Sequence, residues 1–193
     1  MTNETKAPPP IPAWASSVGL ISLGEAIPPA DADAVAQRLL ITERIARYCW
    51  AYDERQLDRL SDCFTEDGIW EGDVLGRVPI GPFKGRAAIR DWMSGFWPHQ
   101  HDQRRHMILN TIVEGQTKDS ARTCSYLLLM GSTGREVSIE TVGFYRVDLT
   151  RVSDQWLINH LMAAFDKAFW PGDLDNLSPR GRARHGVAED ARD

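Results

Sequence analysis

Two side chains in this sequence have types suited to proton transfer and sit where packing alone would not put them: Asp53 and His106. On a helix that advances about 100° per residue, Val35, Leu39, Thr42, Ile45, Ala46 and Cys49 share one arc. Glu43, Arg44, Arg47, Ala51, Glu54 and Arg55 fall opposite. Asp53 follows Val35 by eighteen residues, five whole turns, so a carboxylate is expected in the middle of the buried arc. It also lies near the helix C-terminus, where the macrodipole disfavours negative charge. Such conflicts with local rules concentrate at functional sites. The plain alternative is an Asp that bonds to nearby backbone where the helix frays. Tyr48 and Tyr52 flank the same arc, either as core aromatics or as hydroxyls facing a pocket.

The stretch QRRHMILNTIVEG alternates as a strand does. His106, Ile108, Asn110 and Ile112 are expected on one face, and Met107, Leu109, Thr111 and Val113 on the other. A mostly apolar wall with a few polar groups is the pattern of a ligand pocket. In that pocket, neutral His106 can take a carbon-bound proton. Asp53 can accept from the second ring nitrogen and hold the tautomer. Tyr48 can donate to a leaving hydroxyl or an enolate oxygen, and Asn110 can orient a carbonyl. This chemistry is elimination of water, or a double-bond shift, and it calls for no metal and no cofactor. Asp53 and His106 come from different elements, so the sequence alone does not show that they meet. Tyr52, Trp70, Phe96 and Ile108 are candidate substrate-binding residues, with Trp92 and Trp97 as further wall for a flat, greasy molecule. His160 shares strand parity with Trp156 and Ile158 and is expected to face the same cavity. His99-Gln100-His101 lacks the spacing of known zinc motifs and reads as a solvated loop. Asp166 fits either a solvated strand end or a cavity rim.

The elements that would position these residues follow from periodicity. Asp31 and Asp33 are candidate N-caps for a long helix to about residue 54. A short helix fits Leu57 to Phe64 and a strand fits Thr65 to Asp73. A loop with Gly76, Pro79, Gly81, Pro82 and Gly85 follows, then a helix from Arg86 to Phe96 closed by Pro98. Strands are expected at His106–Glu114, Ala121–Met130, Val137–Leu149 and Gln155–Phe165. Helices first, then a meander, predicts an α+β domain with helices on one face of a curved antiparallel sheet. Residues 1–30 hold six of the eleven prolines and read as an arm, with Trp14, Val18 and Ile21 able to dock on a neighbour. Residues 31–170 form the domain, and 171–193 a polar tail.

Composition limits the function. With 193 residues, 42% of them hydrophobic and 25% charged, the chain suits one soluble domain. A net charge of −5 argues against nucleic-acid binding. No run is long enough for a membrane span, and the N-terminus lacks a signal-peptide pattern, so a cytoplasmic setting is expected. Cys49, Cys63 and Cys124 are odd in number and lack C-x-x-C spacing, which favours buried free thiols.

RYCWAYDERQLDRLSDCFTEDGIWEG resembles the opening of SnoaL-like proteins in the nuclear-transport-factor-two-like superfamily. The pattern is Tyr, five residues to Asp, a short helix, then Phe-x-x-Asp-Gly before a strand. Gly85-Arg86-Ala87-Ala88-Ile89, His106-x-x-x-Asn110 and Gln155-Trp156-Leu157-Ile158 continue it over about residues 35–165. The resemblance implies a cone: a curved sheet wrapped around the long helix, with an internal cavity. It also implies a helix Asp paired with a strand His, as in scytalone and bile-acid dehydratases, at positions like Asp53 and His106, with Tyr48 assisting. The implied activity is a lyase or isomerase acting on a hydrophobic polycyclic, aromatic, steroid- or polyketide-like molecule. The same resemblance admits a non-catalytic binder, or a β subunit of a ring-hydroxylating dioxygenase. A ketosteroid-isomerase arrangement would instead use Glu71 or Asp73 as base. Relatives suggest a homodimer or homotrimer through the outer sheet face.

Overall fold

A computed structural model describes residues 12–167. A short helix, α1 (Trp14–Ser17), precedes the long α2 (Ala32–Asp53) and the short α3 (Leu57–Ser61). Strands β1 (Phe64–Val74) and β2 (Val78–Lys84) form a hairpin, followed by α4 (Arg86–Phe96) and a 3-10 turn at Trp97–His99. Strands β3 (Gln103–Gln116), β4 (Ser120–Ser132), β5 (Val137–Val152) and β6 (Gln155–Phe165) make the meander. One six-stranded sheet has the order β2-β1-β6-β5-β4-β3. Every pairing is antiparallel except β1 with β6. The α+β class and the curved sheet over the long helix match the expectation. The stretch read as a loop is strand β2. Its two prolines are tolerated because β2 is an edge strand, with one side free of ladder bonds.

Asp31 caps α2, its carboxylate accepting from the Ala34 N–H at 2.8 Å. The helix face that meets the sheet is not the expected one. Ile41, Ile45, Tyr48 and Tyr52 are buried, whereas Val35 and Leu39 are 47% and 69% exposed. The buried face is therefore turned about 100° from Val35. The apolar count misled because the first turns meet the sheet through polar side chains. Gln37 accepts from the Trp156 indole at 2.9 Å, and Arg38 donates to Gln116 at 2.9 Å. Trp50 also lies off the buried face and is 65% exposed.

Two bulges decide which side chains enter the cone. In β3, Leu109 pairs with Tyr126 but Ile112 pairs with Cys124, so β3 carries one extra residue there. Asn110 sits at that bulge in the left-handed region, φ 51°, and is exposed. Beyond it the faces exchange. Thr111 turns inward to accept from Ser125 at 2.9 Å, while Ile112 turns outward. In β6, Ile158 pairs with Leu149 and His160 with Asp148, so Asn159 is the extra residue. His160 is thereby carried to the outer face.

The core lies between α2, α4 and the inner sheet face, with Phe64, Leu60, Ile89, Leu149 and Leu161 essentially inaccessible. On the outer face, the segment around α1 is a strap across this chain's own sheet, where docking on a neighbour was expected. The Trp14 indole donates to Asp166 at 2.7 Å, which gives Asp166 its role. Trp14 packs with Cys124, Phe144 and Ala164, and Arg146 donates to the Leu20 carbonyl at 3.0 Å. Residues 1–11 of the arm, residues 168–170 at the end of the expected domain and the tail lie outside the described residues.

Candidate active site

Asp53 is the last residue of α2, and His106 lies on the inner face of β3, directly alongside. Asp53 Oδ1 lies 2.6 Å from His106 Nδ1, and Asp53 Oδ2 accepts the His106 backbone N–H at 2.9 Å. Both side chains are 6% exposed. The Asp53 carbonyl accepts from Gln103 at 2.8 Å, so β3 also satisfies the helix end. These bonds answer the two objections raised by the sequence. The carboxylate is buried at the unfavourable helix end because it is bonded through both oxygens. Tyr52 meets the imidazole edge-on, with centroids 4.9 Å apart, and its hydroxyl donates to buried Gln100 at 2.9 Å.

With Nδ1 occupied by Asp53, Nε2 is the ring nitrogen left for a ligand. His106 lines a cavity of about 40 Å³. Its other walls include Tyr48, Tyr52, Trp70, Phe96 and Tyr145, with Trp92 and Phe165 completing the aromatic lining. The Tyr48 oxygen accepts the Trp70 indole N–H at 2.9 Å, which leaves the hydroxyl proton free to donate. Burial drives the Tyr48 and Tyr145 hydroxyls well above the ordinary tyrosine range, and Tyr52 likewise. All three therefore stay protonated donors through neutral pH.

Of the candidate residues, His106, Tyr48, Tyr52, Trp70 and Phe96 line this one space, and Asp53 stands behind His106, bonded to its ring. Ile108 packs against the core below it. Asn110 is at the exposed bulge and cannot orient a ligand in the cavity. His160 is on the outer face, with Nε2 2.8 Å from Glu71 Oε1. That contact also removes Glu71 from the cavity. The Asp73 carboxylate is engaged by the backbone of Gly76 and Arg77 in the β1–β2 turn. Neither acid faces the cavity as the isomerase arrangement would require. Tyr145 and Phe165 were missed. Both lie in strands whose limits were read well, and counting alternate residues back from Leu149 places Tyr145 inward. Among the described residues, no group of three or more His, Cys, Asp or Glu is arranged to hold a metal ion.

The family model of the SnoaL-like domain matches residues 33–162. The chain belongs to the SnoaL-like family. This SnoaL-like chain is also similar in fold to several solved structures. A protein of unknown function from Mycobacterium tuberculosis is 23% identical, with 86% of this chain and 94% of that one covered and a TM-score of 0.62. The ActVI-ORFA protein of Streptomyces coelicolor is 19% identical, covering 67% and 98%, with a TM-score of 0.59. A Novosphingobium aromaticivorans protein, described as the β subunit of a candidate aromatic-ring-hydroxylating dioxygenase, is 14% identical, covering 72% and 94%, with a TM-score of 0.62. No curated protein matches the chain. At these identities the likeness is one of fold, the cystatin-like fold named for a Nostoc punctiforme structure among the similar ones.

Proposed function

We propose that this SnoaL-like chain is a cofactor-independent lyase or isomerase of the dehydratase type. The observation that carries this is the buried Asp53–His106 pair set against an aromatic cavity. In the proposed reaction, His106 Nε2 removes a carbon-bound proton while Asp53 fixes the tautomer and stabilises the imidazolium. Tyr48 donates its hydroxyl proton in a hydrogen bond to the departing or developing oxygen. The lining suits a flat hydrophobic substrate, aromatic, steroid-like or polyketide-like. A cavity of about 40 Å³ holds water; roughly 150 Å³ accommodates benzene. A ring-sized substrate therefore enters by displacing part of the wall, and α4, which contributes Trp92, Met93 and Phe96, is the wall segment we assign to that movement. We place the protein in the cytoplasm, where its three buried free thiols stay reduced. We expect a homodimer or homotrimer formed through exposed Leu109, Ile112, Tyr126 and Val142 on the outer face.

The test is a thermal-shift screen of aromatic, steroid-like and polyketide-like compounds, since a ligand that binds only the native state raises its melting temperature. Stabilising compounds are then followed by mass spectrometry for loss of water and by absorbance for a moved double bond. Turnover by the native chain and its loss in His106→Ala support the reading; full turnover in that variant sinks it. The small cavity favours a second reading, a non-catalytic binder or dioxygenase accessory subunit. Co-purification with a larger iron-bearing partner, and no turnover of any stabilising compound, would favour that alternative.

A further inference from the structure

The face of α2 that points away from the sheet is apolar and open to solvent. Nine residues from Val35 to Glu54 are exposed, and all fall within an arc of about 140°. Among them only Glu43, Arg47 and Glu54 are charged; the other six are apolar. Val35, Leu39, Leu40 and Trp50 are between 46% and 69% exposed. A helix on the surface of a globular domain normally turns charged residues to water and keeps its apolar stripe for the core. α2 already has a buried stripe through Ile41, Ile45, Tyr48 and Tyr52, so this is a second one. Its Val35, Leu39 and Ala46 belong to the arc that hydrophobicity alone assigns to the core. Contiguous exposed apolar surface marks a contact site. Beside it, between α2 and α3, runs a groove of about 610 Å³ whose walls include Ala46, Trp50 and Arg59.

We infer that this face pairs with the same face of a second copy of the chain, the two α2 helices lying antiparallel across a two-fold axis. A two-fold contact brings residue i to j and j to i, so the surface must complement itself. This one does. Ala36, Leu39, Glu43, Ala46 and Trp50 recur at alternating intervals of three and four residues, the spacing of a seam between two helices. An axis passing between Arg44 and Ile45 sets Leu39 of each copy against Trp50 of the other. It sets Glu43 against Ala46, whose small side chain lets the helices approach, with Arg47 one residue further on. Within one copy Arg47 already donates to Glu43, so the two pairs meet at the axis as a ring of alternating charge. In-register parallel pairing would instead set Glu43 on Glu43 and Arg47 on Arg47, which like-charge repulsion opposes. Trp and Arg are also the residues that most often anchor interfaces. α2 covers the inner face of the sheet, so this contact lies across the domain from Leu109, Ile112 and Tyr126. It is separate from the pairing expected there and doubles whatever assembly that pairing makes.

Sedimentation of the full chain tests this. Leu39→Glu and Trp50→Glu should each halve the mass of the native assembly at the same concentration, because each places a charge in the seam twice per contact. Both positions are exposed, so neither variant should lower the denaturation midpoint of the single copy. Glu43→Arg should halve the mass too, and Glu43→Arg combined with Arg47→Glu should restore it, which requires opposed charges across the two copies. Tyr126→Glu, on the outer sheet face, should remove the sheet pairing and leave the α2 pairing intact. Unchanged mass in Leu39→Glu and Trp50→Glu would overturn the inference, whatever Tyr126→Glu does. So would failure of the double charge exchange to restore the assembly. Acrylamide quenching gives a second readout, the difference between the native chain and Trp50→Phe reporting the accessibility of Trp50. That indole should become shielded as concentration rises. Shielding already complete in the dilute single copy would mean that residues 1–11 or 168–193 of the same chain cover the face, and would equally overturn the pairing.

Discussion

The molecule contains two histidine–carboxylate pairs of nearly equal length and very different surroundings. His106 and Asp53 are 2.6 Å apart with side chains 6% exposed, on the inner face of the sheet. His160 and Glu71 are 2.8 Å apart with side chains 25% and 27% exposed, on the outer face. The inner pair adjoins an aromatic cavity and is fixed twice, because Asp53 also holds the His106 backbone N–H. The outer pair shares its face with the Arg122–Asp148 ion pair, in reach of solvent. A pair of this kind is common surface chemistry; it becomes a candidate for catalysis when it adjoins an aromatic cavity and its orientation is imposed.

Four measurements would break or sharpen that contrast. The largest effect is expected at Asp53→Asn, which keeps shape but removes the charge: turnover should fall by about 10²- to 10⁴-fold, the usual worth of general acid–base catalysis. Glu71→Gln, assayed alongside, should leave turnover within about twofold, since Glu71 has no part in that catalysis; comparable losses would erase the distinction between the faces. Next is Trp14→Ala, which strips the strap from the outer face. Denaturant unfolding should show a loss of about 3 kcal/mol or more, as for other buried Trp truncations, with turnover unchanged per folded molecule. Tyr48→Phe, inside, should cost about 1–3 kcal/mol, because the buried Trp70 N–H loses its acceptor; an unchanged denaturation midpoint would show that the indole finds another partner. The smallest effect is His160→Gln, below about 1 kcal/mol, as for other partly exposed surface pairs. A larger loss would mean the outer pair is structural.

The same contrast shows what the sequence could and could not convey. The long helix, the α4 boundaries, the four-strand meander and all of β6 were legible, because periodicity and glycine or proline punctuation report local backbone, whereas the prolines of β2 made an edge strand read as a loop. The candidates Asp53 and His106 were legible because each violates a local pattern. What failed was facing. Asn110 and His160 were both assigned to the cavity by strict alternation, and both were displaced by a single extra residue in the strand. Nothing in Leu109-Asn110-Thr111 or Ile158-Asn159-His160 announces a bulge beyond the Asn itself, which tolerates the left-handed conformation that Asn110 adopts. The face of α2 was misjudged for a different reason. Gln37 and Arg38 meet the sheet through hydrogen bonds that exist only once the sheet is present, so hydrophobicity alone pointed about 100° away.

Asp53 bonds to both the main chain and the ring of one residue, and this has a consequence for folding. Sliding β3 past α2 by one position would bring Arg105 or Met107 opposite the carboxylate. The ring contact would vanish, and with Met107 in the place of His106 the acid would be left buried without its counterpart. Asp53 thus acts as a gauge of assembly: a chain that docks β3 out of step is penalised by the group its chemistry would need, so misassembled molecules are unstable as well as inactive.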